Sequence, residues 1–212
     1  RDMLDDWVDA TALPRLEVPV GVEVVARDGS LLRAFQVADG RWRLDAGPVD
    51  PMLLDMLMLW EDRRFPRHAG VDGRALLRAG WQAARHGRVV SGGSTLTMQV
   101  ARLLEEGSTG EWAGKLRQMQ LALALERHLT KREILALYLR LAPYGANVEG
   151  IRAASLQWFG KEPRRLTPAQ AALLVALPQS PEARRPDRFP LAAKAARDRV
   201  LARAAAGGLI SD

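Results

Sequence analysis

From Asp50 onward this sequence is one helix-forming segment after another, and that succession restricts the chain to a mainly α fold. Eight segments carry apolar residues at helical spacing: 51–62, 73–87, 94–105, 112–128, 131–140, 149–159, 168–177 and 190–206. Several begin with a start signal. Asp72, Ser94 and Thr130 stand where a side-chain oxygen caps a first turn, and Thr130 with Glu133 has capping-box spacing. Thr167 precedes Pro168, which suits the first helical position. Gly107, Gly110, Gly145 and Gly160 punctuate the intervals. The run "LALALE" at 121–126 reads as buried helix.

Ahead of the helices, residues 1–14 read as a polar lead-in. Residues 18–45 read as strand: "VEVVA", "LLRAFQV" and "RWRL", joined by turns at Asp28-Gly29 and Asp39-Gly40. The expected organisation is a lead-in with a small β-hairpin over 1–48 and a helical domain over 49–212.

With 212 residues and 48% apolar side chains, the chain can bury one large core. Cysteine is absent, which excludes disulfide scaffolds, thiolate metal sites and cysteine nucleophiles. The charge is uneven: residues 1–62 hold 6 basic and 13 acidic side chains, the remainder 25 and 12. A basic body suits an anionic partner, though a solvated arginine-rich surface gives the same count. No run reaches the roughly 18 apolar residues of a membrane span; "MLLDMLMLW" at 52–60 is interrupted by Asp55. The opening Arg1 leads us to expect a fragment.

Four clusters could carry chemistry. "EDRRFPRHAGVDG" at 61–73 gathers Glu61, Asp62, His68 and Asp72 behind an apolar helix, with Phe65 and Pro66 fixing the turn. A carboxylate at a buried helix end can be desolvated into the range of a general acid or base; an acidic helix end with a backbone-satisfied histidine has the same spacing. "SGGSTLTMQVAR" at 91–102 places Gly92-Gly93 before Ser94, and Thr95, Gln99 and Arg102 on one helix face. That suits an anion, as it suits an ordinary capped amphipathic helix. It is not a P-loop, because the GxxxxGK[ST] spacing is missing. "KLRQ" at 115–118 puts Lys115 and Gln118 on one face with Arg117 beside them; cations there could neutralise a diphosphate leaving group. Finally, Arg74, Arg78, Arg85 and Arg88 fall within about 80° of a helical wheel at 100° per residue, with Trp81 among them and Leu76, Ala79 and Ala83 opposite. Such a face suits lipid headgroups.

In their order, "EDRRFPRHAGVD", "GGSTLTMQ", "KLRQ…ALERHLTKREILALYL" and "GIRAASLQWFGK…LTPAQAALLVALPQSP" resemble the motifs of peptidoglycan glycosyltransferases. That family occurs in class A penicillin-binding proteins and monofunctional transglycosylases. "GGSTLTMQVARLLE" and "LAPYG" are most similar to its C-type branch, and the resemblance covers about residues 18–200.

The resemblance implies a lysozyme-like helical fold with a membrane-associated subdomain, here about 73–90. It implies polymerisation of lipid II into a growing glycan strand, with inversion at the anomeric carbon and release of undecaprenyl diphosphate. Glu61 would deprotonate the acceptor hydroxyl. Asp62, Phe65 and His68 would position it. Ser94, Thr95, Gln99 and Arg102 would line the donor site, and Lys115 with Arg117 would hold the diphosphate. A divalent cation such as Mg2+ would assist, and moenomycin-type inhibitors would bind. Arg74, Arg78, Trp81 and Arg85 would meet the membrane. Anchoring at the periplasmic face of the inner membrane is expected, by a helix before Arg1.

Three positions depart from the family pattern. Gln118 replaces a second catalytic Glu and would supply hydrogen bonds without charge. Met98 stands for the first Gln of a pair, and Arg140 for an Asn after "YL". Glu126 matches a different family position. No Ser-x-x-Lys or Lys-Thr-Gly occurs, so no transpeptidase partner domain and no β-lactam binding are expected of this piece. The competing readings are a glycan-cleaving enzyme, which commonly needs two carboxylates across the scissile bond, and a non-catalytic lipid II-binding module. Nucleic acid is not expected as a partner, because no recognition motif accompanies the charge.

Overall fold

The computed structural model describes residues 2–86, 93–105 and 112–211. It is mainly helical, and its chain packs as two compact units, each built from separated stretches: 1–16 with 61–138, and 17–60 with 139–212.

The first unit holds α1 (Asp2–Asp9), a 3-10 turn (Phe65–Arg67), α3 (Gly73–His86), α4 (Leu96–Glu105), α5 (Trp112–His128) and most of α6 (Lys131–Leu141). Its core is the buried run Leu121, Ala122, Ala124 and Leu125 of α5 against Leu96, Met98, Val100 and Ala101 of α4. The expectation of a buried "LALALE" helix holds. The small residues let another backbone approach: at Gly70 (φ +86°) an added Cβ would lie 2.5 Å from the Ala122 carbonyl oxygen.

Within the polar lead-in, α1 forms a helix that the sequence reading did not include. Eight residues rich in Asp make a marginal helix alone, but α1 is held on α5. Arg127 bonds the carboxylates of Asp5 and Asp9, Gln120 Nε2 donates to the Trp7 carbonyl at 2.9 Å, and Val8 is buried.

The second unit holds β1 (Glu23–Val25), β2 (Leu31–Ala34), β3 (Trp42–Arg43), α2 (Pro51–Glu61, up to Trp60), the end of α6, β4 (Val148–Glu149), α7 (Ile151–Phe159), α8 (Pro168–Ala176), a 3-10 turn (Leu177–Gln179) and α9 (Pro190–Ala206). β1 and β2 form the expected antiparallel hairpin, with Val24 opposite Arg33 and an irregularity after Val24. The third expected strand does not extend it. β3 pairs in parallel with β4, a strand the helical reading of 149–159 concealed. A buried ion pair fixes this pairing: Arg43, 3% exposed, donates from Nε to Glu149 Oε2 at 2.6 Å, and Arg41 Nη1 reaches Glu149 Oε1 at 2.8 Å. Gly150 then turns the chain into α7 at φ +83°, where a Cβ would meet the Arg140 carbonyl oxygen at 2.7 Å.

The caps sort by geometry. Asp72 Oδ1 accepts from the N–H groups of Arg74 and Ala75 at 3.0 and 3.2 Å. Thr130–Glu133 and Thr167–Gln170 each close reciprocal capping boxes. Ser94 does not cap α4. Thr95 does, its Oγ1 accepting from Met98 N at 3.1 Å. The separators Gly107 and Gly110 lie outside the described residues.

Candidate active site

The site is built where the last residue of α2 meets α4 and α5. Glu61 ends α2, and Gln99 Nε2 donates to its Oε2 at 2.8 Å. That bond fixes the carboxylate against the α4 face. The next residue, Asp62, is 7% exposed and turns inward. Its Oδ2 accepts from the Leu96 N–H at the start of α4 at 3.0 Å. Both its oxygens lie within reach of His68 Nε2, at 3.0 and 2.9 Å. An ionised carboxylate only accepts, so the proton sits on Nε2, and Nδ1 is buried without a partner among the described residues. Asp62 thus ties the residue after Glu61 to the helix that carries Gln99.

Thr95 completes the tie. Besides capping α4, its hydroxyl donates to the Gly70 carbonyl at 2.5 Å, and its side chain is 2% exposed. Phe65 is buried and meets the His68 ring edge-on at 6.2 Å. Asp62, Phe65, His68 and Thr95 therefore bond and pack inside the protein. That placement suits the positioning role expected of Asp62, Phe65 and His68.

The cations stand beside this frame. Lys115 Nζ donates to the Ser94 hydroxyl. Burial and the neighbouring Arg102 guanidinium, in that order, lower the Lys115 pKa from its ordinary value. Neither Lys115 nor Arg102 has an ion pair with a carboxylate among the described residues. Two positive groups without a carboxylate partner among the described residues stand close together there, which suits an anion. Gln118, one turn beyond Lys115, is 9% exposed and makes no hydrogen bond among the described residues. Arg117 differs from the expectation: it points outward and binds Glu105 through Nε and Nη2 at 3.0 and 2.7 Å. That bond raises its already high pKa.

A second network was not anticipated from the residues. Glu126, in the otherwise apolar "LALALE" run, accepts from Thr97 Oγ1 at 2.6 Å and Lys131 Nζ at 2.5 Å. Lys131 also donates to the His68 carbonyl at 2.6 Å and sits 4.4 Å from the Phe65 ring centroid. A lone carboxylate in a buried helix was the available signal, because it demands a buried partner.

On α3, Arg74, Arg78 and Arg85 are exposed. Trp81 is 63% and Leu77 78% exposed, and the Arg85 guanidinium lies 5.5 Å from the Trp81 ring. Arg88 lies outside the described residues.

Comparison with known proteins gives the family of this domain. The transglycosylase family model matches residues 28–205, so the chain belongs to that family. It is 50% identical over 201 residues to penicillin-binding protein 1C of Escherichia coli (strain K12), covering 94% of this chain and 26% of that protein. It is 34% identical over 170 residues to penicillin-binding protein 1A of Pseudomonas aeruginosa, covering 80% of this chain and 21% of that protein. Identity to penicillin-binding protein 2D of Bacillus subtilis is 33% over 168 residues, covering 79% and 24%. The chain thus spans about a quarter of the length of these relatives. Among solved structures, penicillin-binding protein 1A from Haemophilus influenzae aligns with 95% of this chain and 20% of its own, at 19% identity and TM-score 0.48; the family assignment does not rest on it.

Proposed function

We propose that this chain is a peptidoglycan glycosyltransferase that polymerises lipid II. The observation that carries the reading is Glu61, held by Gln99 of the helix that also carries Arg102, with Lys115 close to that guanidinium. Glu61 takes the proton from an acceptor sugar hydroxyl, which attacks the anomeric carbon of the donor from the face opposite its diphosphate, inverting the configuration. Lys115 and Arg102 hold the diphosphate as negative charge builds on it. Ser94 keeps the Lys115 ammonium in place, and Gln118 offers its amide to the same substrate.

A divalent cation belongs to this proposal only as a companion of the substrate. Among the described residues no group of three His, Asp or Glu could hold one, and the Gln118 amide is a weaker ligand for a hard cation than a carboxylate.

No described helix is long and apolar enough to cross a membrane. The exposed Trp81, Leu77 and arginines of α3 support contact with the membrane surface that carries the substrate, at the periplasmic face of the inner membrane. Binding of moenomycin-type inhibitors belongs to the same proposal. A second reading, a domain that holds lipid II without turning it over, rests on Gln118 in place of a carboxylate.

Labelled lipid II in detergent with Mg2+ tests the reading. Glycan strands and free undecaprenyl diphosphate are expected. Moenomycin binding without product would favour the holding domain, and soluble muropeptides released from purified sacculi would favour a cleaving enzyme.

A further inference from the structure

We propose that Lys131 is a positioning residue for the base: its ammonium fixes the turn that presents Glu61 to α4. The proposal rests on the transferase reading above and names a residue that reading does not use.

The turn after Glu61 is tied to α4 near its start. Gln99 bonds Glu61, and the Leu96 N–H bonds Asp62. Asp62 in turn holds His68 through Nε2. Lys131 fixes the far end of the turn. Its Nζ donates to the His68 carbonyl at 2.6 Å and lies 4.4 Å from the Phe65 ring centroid, so one ammonium meets the turn at both residues. The same nitrogen donates to Glu126 Oε1 at 2.5 Å, and that oxygen also accepts from Thr97 Oγ1 at 2.6 Å. Thr97 is buried on α4, next to Leu96. The bonds therefore close a ring that runs through Asp62, His68, Lys131, Glu126, Thr97 and Leu96. Glu61 and Gln99 meet just outside it, one from each side.

Local helix energetics do not call for a lysine at this position. Lys131 is the first residue of α6, where the helix dipole disfavours a cation. The Thr130–Glu133 capping box fixes that helix start, and from it the Lys131 side chain reaches the turn. The Glu126 side chain is 7% exposed, so its charge needs the ammonium beside it. Lys115 and Arg102 lie outside the bonds of the ring. Loss of the Lys131 ammonium should therefore misplace Glu61 and leave the anion-holding cations where they are.

Steady-state kinetics on lipid II test this. Lys131→Met keeps the reach of the side chain without its charge. It should lower kcat about 10²-fold, the loss that a misplacement of about 1 Å can cause, with KM and diphosphate affinity unchanged. Lost stability can also lower a rate, and two variants separate the causes. Lys131→Met with Glu126→Gln leaves no charge buried unpaired, and the amide oxygen still accepts from Thr97. Its Tm should return toward that of the wild type while kcat stays low. In Glu61→Gln, which has no base to misplace, adding Lys131→Met should change the residual rate by no more than about twofold. A kcat that recovers with Tm in the paired variant, or an equal loss of rate with and without the base, overturns the proposal alone. A wild-type chain that makes no polymer overturns the transferase reading, and the proposal with it.

Discussion

Replacing Asp62 by Asn tests the frame beneath Glu61. The carboxylate accepts from the Leu96 N–H and from His68 Nε2 at the same time. Asn can serve one of them. If its carbonyl keeps Leu96, its NH2 faces the Nε2–H, and two donors collide. The His68 proton must then move to Nδ1, a buried atom with no partner among the described residues. One charge-assisted bond is lost either way, which costs about 1.5–3 kcal/mol. For a domain of this size, each kcal/mol lowers Tm by about 2–4 °C, so a fall of about 3–12 °C is expected by circular dichroism. The fold should survive at 25 °C with reduced polymerisation, because the start of α4 is no longer tied to the residue after Glu61. A double-mutant cycle with His68→Ala should be non-additive, since both changes break the same bond. An unchanged Tm, or additive effects, would refute the assignment of Asp62 as the link.

Three further perturbations follow from the same geometry. Thr95→Val removes the α4 cap and leaves the Gly70 carbonyl unpaired, so urea denaturation should show a loss of about 2–4 kcal/mol, with Thr95→Ser recovering most of it. Diphosphate binding by calorimetry should weaken as pH rises through the Lys115 pKa, because the ammonium that attracts the anion is lost. Since that pKa is lowered, the weakening should begin below the ordinary lysine range and move upward in Lys115→Arg; a decline confined to the ordinary range would count against the desolvated Lys115. Trp81→Ala with Leu77→Ala should reduce binding to anionic vesicles about tenfold or more, from the apolar area withdrawn. Arg74→Ala with Arg78→Ala should weaken it most at low salt. Unchanged cosedimentation in both pairs would remove α3 as the membrane face.

Much of the helical body was legible in the residues, because its signals are local. Asp72, Thr130 and Thr167 cap where their spacing says, and α5 is buried where "LALALE" predicts. The features that escaped depend on partners distant in sequence. α1 forms because Arg127, over a hundred residues away, neutralises Asp5 and Asp9. β4 is two residues long and exists through Arg43 and Glu149. In the site, the Thr95–Gln99–Arg102 stripe was visible from helical spacing, yet spacing cannot tell which members face inward. Thr95 was taken by Gly70 and the cap, leaving Gln99 and Arg102 on the wall. Adjacent hydroxyls likewise made Ser94 and Thr95 interchangeable as caps until Lys115 was seen to claim Ser94. Arg117, two residues after Lys115, turns to Glu105 because residues two apart on a helix point about 200° apart at 100° per residue.

The central claim is that Glu61 is the base of a glycan-forming transfer. Polymerisation of labelled lipid II by the wild-type chain beside Glu61→Gln tests it most directly, because the amide keeps the shape of the side chain and cannot take the proton. Glycan strands from the wild type, with the variant slower by about 10²–10⁴-fold at unchanged Tm and unchanged diphosphate affinity, are the predicted result. Polymerisation by Glu61→Gln at the wild-type rate would contradict it.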